Sequence, residues 1–106
     1  MPRYMFTASY TVDGLKGIRA EGGSARLTAV EKLFESLGGK VEAAYWSFGH
    51  TDFICIAELP DNSAAAAAAT SVAAAGVASV QTTVLLSADD IDAAVGRSTE
   101  YRAPGA

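Results

Sequence analysis

Lys40-Val-Glu-Ala-Ala-Tyr-Trp-Ser-Phe48, the short connection Gly49-His-Thr51, and Asp52-Phe-Ile-Cys-Ile-Ala-Glu-Leu59 decide how this chain of 106 residues is built. Two β-rich runs joined by so few residues form a tight hairpin. The second run is apolar on both faces at Phe53-Ile54-Cys55-Ile56-Ala57, which suits a strand with neighbours on either side. The first keeps Lys40, Glu42 and Ser47 among its apolar residues, which suits an edge.

Upstream of the hairpin, residues 3 to 11 alternate Tyr4, Phe6, Ala8 and Tyr10 against Met5, Thr7 and Ser9, which predicts a strand ended by Asp13-Gly14. Leu15 to Ala20 reads as a short helical turn interrupted at Gly22-Gly23. Ser24 then caps a helix whose apolar stripe is Leu27, Val30, Leu33, Phe34 and Leu37, with Arg26, Glu31, Lys32 and Glu35 on the other side and Gly38-Gly39 as the stop. Downstream, Pro60-Asp61-Asn62-Ser63 ends a strand and offers a cap. The alanine run 64–69 with Val72 to Ala75 makes a second helix, and Val77 to Leu86 a fourth strand. Ser87-Ala88-Asp89-Asp90 begins a last short helix, and residues 97–106 read as a flexible tail.

The order strand, helix, strand, strand, helix, strand predicts an α+β, ferredoxin-like βαββαβ domain over residues 1–96. Its four-stranded antiparallel sheet would carry two helices on one face. Apolar groups in the strands at 4–10 and 53–57 are expected on the other face as well, and the cheapest cover for that face is a second copy of the chain. A homodimer packed through the sheet face is therefore expected, with a crevice where a small, partly apolar molecule could sit.

Composition limits the partners. The formal net charge is −4, from 8 basic and 12 acidic residues, with no basic cluster, so a phosphate-backbone partner is not expected. Residues 1–40 carry six basic and four acidic groups, the remaining 66 two and eight. Half of the residues are hydrophobic, and a chain of this length removes roughly 60–70% of its unfolded surface from water on folding. No apolar leader follows Met1, and the uncharged stretch from Asn62 to Ala88 is too weakly apolar to span a bilayer, so a cytoplasmic protein with no membrane partner is expected. One Cys permits no internal disulfide, and one His with one Cys gives no metal site.

Candidate binding residues are His50, Asp52, Tyr10, Trp46 and Arg26. His50 beside Asp52 could serve as a base oriented by a carboxylate, or be a solvated turn residue whose neighbour caps amides. Tyr10 and Trp46 could line a pocket and orient a ligand, or belong to core and seam. Arg26 could meet an anion, or be solvated. Cys55, within an apolar run and with no nearby cation, reads as a small hydrophobe. No motif assigns a catalytic residue or a cofactor, which leaves a non-enzymatic oligomerisation or ligand-sensing module as the alternative to a ligand-binding one with chemistry of its own.

Several short motifs carry a resemblance: Pro2-x-Tyr4, Tyr10-Thr11-x-x-Gly14-x-Lys16-Gly17, Gly22-x-x-x-Arg26, Leu37-Gly38-Gly39-Lys40, Gly49-x-x-Asp52 and Leu59-Pro60-Asp61. With this spacing, residues 2 to 95 resemble GYD-domain proteins. The resemblance implies a ferredoxin-like subunit of a dimeric α+β barrel and leaves activity open. The tyrosine of the family's name is Thr51 here, so no role for that phenol carries over.

Overall fold

The computed structural model describes residues 1–106. Its elements are β1 (Arg3–Tyr10), α1 (Val12–Ser36), β2 (Lys40–Trp46), β3 (Phe53–Glu58), α2 (Asn62–Ala74), β4 (Ala78–Leu85) and α3 (Ala88–Val95). The strands form one antiparallel sheet in the order β2-β3-β1-β4. The doubly apolar β3 lies inside, and the charged β2 lies at an edge, as their sequences predict. The fold is α+β with three helices, the third being the short one expected after Ser87 and lying beyond the βαββαβ order, and the strands do not lie in chain order.

The core sits between one sheet face and the first two helices. Tyr4, Phe6 and Ala8 of β1, Phe53, Cys55 and Ala57 of β3 and Ala78 of β4 are buried against Phe34 of α1 and Ala65 and Ala68 of α2. Small side chains let α2 approach closely. Tyr4 is fully buried and donates its hydroxyl proton to Asn62 Oδ1 at 2.6 Å, so its polar end costs nothing unpaired.

Helix α1 keeps the expected break: two helical stretches join at Gly22, whose φ 81° and ψ 173° are non-helical, and the first begins at Val12, three residues before the expected turn at Leu15. Its cap is Thr11 and not Ser24: Thr11 Oγ1 accepts from the Gly14 N–H at 3.2 Å and donates to the Gly76 carbonyl at 2.9 Å. The C-terminus closes as a Schellman motif, with the N–H groups of Gly38 and Gly39 donating to the carbonyls of Glu35 and Phe34. Gly38 holds φ 81° there.

A bulge between Val41 and Ala43 shifts the β2–β3 register. Val41, Ala44 and Trp46 thereby face the helices, and Ala43 and Tyr45 face away. Glu42, at the bulge, accepts from Arg3 Nε at 2.8 Å.

The helix-free face divides in two. Across β3 and β2 it carries Ile54, Ile56, Ala43 and Tyr45, joined by Met5, and Tyr45 is 72% exposed. Across β1 and β4 it carries Thr7, Ser9, Ser79, Gln81 and Thr83, with Leu85 opposite Arg3 at one end. The expectation that β1 presents apolar groups on both faces is thus met only at Met5, because its outward residues are otherwise short and polar. One end is closed by ion pairs from Arg3 and Lys40 to Glu58, at 3.3 and 3.4 Å.

Helix α3 has no buried residue; Ile91 and Val95 are exposed, and residues 97–106 form neither helix nor strand. A capping box starts α3: the Ser87 N–H donates to Asp90 Oδ2 at 2.9 Å and the Asp90 N–H to Ser87 Oγ at 3.1 Å. The Ser87 backbone N–H, followed by its hydroxyl, lowers the Asp90 pKa below the ordinary 3.8. A lowered folded-state pKa gives stability that is present above pH 3.8 and lost as pH falls through the lowered value. Amide resonances of α3 are expected to lose helical shifts on acidification below pH 3.8 and to do so less in Asp90→Asn.

Candidate functional site

Strand order alone brings three of the candidate residues together. Tyr10 ends β1, Trp46 ends β2, and Asp52 precedes β3, so the β2-β3-β1 pairing gathers them at one corner of the sheet. Trp46 Nε1 donates to the Tyr10 hydroxyl at 3.0 Å, and the Tyr10 N–H donates to Asp52 Oδ2 at 2.8 Å. The Trp46 ring also packs on Phe53, with centroids 4.9 Å apart. Asp52 therefore caps the end of β1, with its carboxylate committed to a backbone amide.

Arg26 reaches the same corner from α1. Its Nε lies 2.6 Å from Glu21 Oε1 across the Gly22 kink, an ion pair whose N–H is not aligned for a hydrogen bond. Glu21 was not a sequence candidate. Two residues five apart lie on different faces of a regular helix, and only the non-helical Gly22 lets them meet. Desolvation raises the Tyr10 pKa above the ordinary 10.0, opposed by the Trp46 hydrogen bond and by Arg26. The phenol accordingly stays neutral at physiological pH and keeps its proton to donate.

Beneath Tyr10 and Arg26 lies a cavity of about 70 Å³ between the sheet and the first two helices. Phe6, Ala8, Phe53, Cys55 and Val80 line it from the sheet, Val30, Leu33 and Phe34 from α1, and Ala68, Ala69 and Val72 from α2. Arg26 is the one lining residue that is not hydrophobic. Burial pushes the Cys55 thiol up to about 12, so it packs as a neutral hydrophobe and not as a nucleophile. A broader groove of about 620 Å³ lies between the N-terminus and the start of α3, lined by Met1, Arg3, Tyr4, Asn62, Val84 and Asp90 among others.

His50 stands apart. It is exposed at the hairpin tip and its ring makes no hydrogen bond; the tip is held instead by Ser47 Oγ donating to the Thr51 carbonyl at 2.6 Å. The adjacency of His50 and Asp52 in sequence does not survive as a pair, because Asp52 turns to Tyr10. No three His, Cys, Asp or Glu side chains converge as metal ligands, and no helix is long and apolar enough to cross a membrane.

The profile of the GYD domain matches residues 4–95, most of the chain. The chain belongs to the GYD domain family. No protein of curated function and no solved structure matches it. In this GYD domain the motif that runs from Tyr10 to Gly14 has a mechanical reading: Thr11 caps α1, and Gly14 is buried where a Cβ would run into the Val77 carbonyl oxygen. The Gly38-Gly39 step is likewise required, since a Cβ on Gly39 would run into the Glu58 carbonyl oxygen.

Proposed function

We propose that this GYD domain is the ferredoxin-like subunit of a dimeric α+β barrel, and that it holds a small, partly apolar molecule in the cavity between sheet and helices. The cavity carries the reading: a hollow with one polar residue and a tyrosine at its rim suits a ligand with an apolar body and a polar end. The dimer rests on the apolar half of the helix-free face, where Ile54, Ile56 and Tyr45 have no cover within the chain. A reducing compartment, the cytoplasm, suits a subunit whose only thiol is free and buried.

One observation favours holding or sensing a molecule over transforming it. The cavity wall offers hydrogen-bond donors but no carboxylate or histidine, and its thiol is protonated. Incubating the purified protein with a cellular metabolite extract, followed by mass spectrometry of what co-purifies, tests the reading. A retained small molecule is expected, and Ala69→Leu, which fills the cavity from α2, is expected to reduce its retention at least about tenfold by steric exclusion. Equal retention by both proteins would place the molecule elsewhere.

A further inference from the structure

Resting on the reading of the cavity as a ligand site, we infer that its ligand is a small neutral carbonyl compound whose oxygen accepts hydrogen bonds from Tyr10 and Arg26. The first argument is hydrogen-bond polarity. The Tyr10 oxygen already accepts from Trp46 Nε1, which leaves its own proton to donate. Arg26 has only donors; Glu21 lies against Nε, and its terminal nitrogens make no hydrogen bond within the chain. A rim that only donates calls for a head that only accepts.

The second argument is charge. Around that rim the guanidinium of Arg26 pairs with the Glu21 carboxylate, the Asp52 carboxylate accepts from the Tyr10 N–H, and Asp13 lines the adjoining groove with Tyr10 and Arg26. Three acids against one base disfavour a carboxylate or phosphate head, because like charges brought together lose affinity. An ammonium head would meet Arg26 and hydroxyl and guanidinium protons, with no acceptor on the cavity wall. A neutral carbonyl satisfies the donors without adding charge, and loses less hydration than an ion on entering an apolar hollow. The volume of about 70 Å³, roughly the share of two to three liquid waters, takes a short hydrocarbon chain.

Four probes of matched size separate the possibilities: propanone, acetate, propan-2-amine and propane, titrated into the protein with ¹H–¹⁵N and methyl NMR. Propanone is expected to bind at least about fivefold more tightly than each of the others, the gain of about one net hydrogen bond. Bound, its carbonyl ¹³C resonance should lie downfield of its position in hydrocarbon solvent, a sign of donors on the oxygen that needs no variant. Tyr10→Phe should weaken propanone about fivefold and leave propane unchanged, and that propane affinity also reports an intact cavity. Preferred binding of acetate or propan-2-amine, or a ketone no tighter than propane, would overturn the inference and leave the cavity as a ligand site. If no probe perturbs Val30, Val72 or Val80, the inference and the reading beneath it fail together.

Discussion

Ile56→Asp is expected to raise the dissociation constant of the proposed dimer at least about 100-fold while leaving the protomer folded. Ile56 lies in the middle of the apolar half of the helix-free face, opposite Met5 on β1 and Ala43 on β2. Within one chain it is only half-buried, so a carboxylate there can remain hydrated and the hydrophobic core beneath the sheet is untouched. Between two copies the same carboxylate would be buried without a partner. A two-fold interface presents each substitution twice, and an unpaired buried charge costs about 3–5 kcal/mol. Sedimentation velocity should show the wild-type chain as a dimer at micromolar concentration and Ile56→Asp as a monomer with unchanged far-ultraviolet dichroism. Thr83→Asp, on the polar half across β4, serves as the comparison and should perturb association far less. A wild-type chain that sediments as a monomer would remove the dimer from the account.

Gly39→Ala should unfold the domain more readily than any conservative surface change. The residue follows the left-handed Gly38 in the turn that closes α1, and an added Cβ would strike the Glu58 carbonyl oxygen and the Leu59 side chain. Backbone oxygen cannot step aside as a flexible side chain can, so β2 would have to move from β3 just where Lys40 pairs with Glu58. A loss of about 3 kcal/mol follows, seen as a thermal midpoint lower by more than about 10 °C. Gly17→Ala is the counter-case. Nothing lies within 4 Å of its added Cβ, and the residue is inside α1, so the change should stabilise by about 0.5–1 kcal/mol. Equal and small effects at both positions would mean that the turn between α1 and β2 is looser than described.

These positions also show which features the sequence makes legible. The inner place of β3 could be read because Phe53 to Ala57 are apolar at every position, and the edge place of β2 because Lys40 and Glu42 interrupt its apolar residues. The α1 stripe was readable for the same reason, with Phe34 buried and Val30, Leu33 and Leu37 packed against the core. The bulge was not readable: no glycine or proline marks it, and simple alternation through β2 would give Tyr45 the inward place that Trp46 holds. Of the site, Tyr10, Trp46, Asp52 and Arg26 meet at one corner. Their meeting depends on which strands become neighbours, a property of the whole sheet and not of any local run. His50 was singled out by its chemistry and its neighbour, but its ring is exposed at the tip and Asp52 turns to the Tyr10 amide instead. Glu21 was missed because a helix broken by one glycine makes contacts that regular spacing forbids.

The alanine run of α2 has one more consequence. Ala68 and Ala69 meet the cavity with single methyl groups, so the bore of the hollow is set by the smallest side chains on its wall. Ala68 belongs to the packed core and cannot grow without lifting α2, but valine or leucine at the half-buried Ala69 would give a graded series of calibres, and the size of guest admitted could be retuned at one place on one helix.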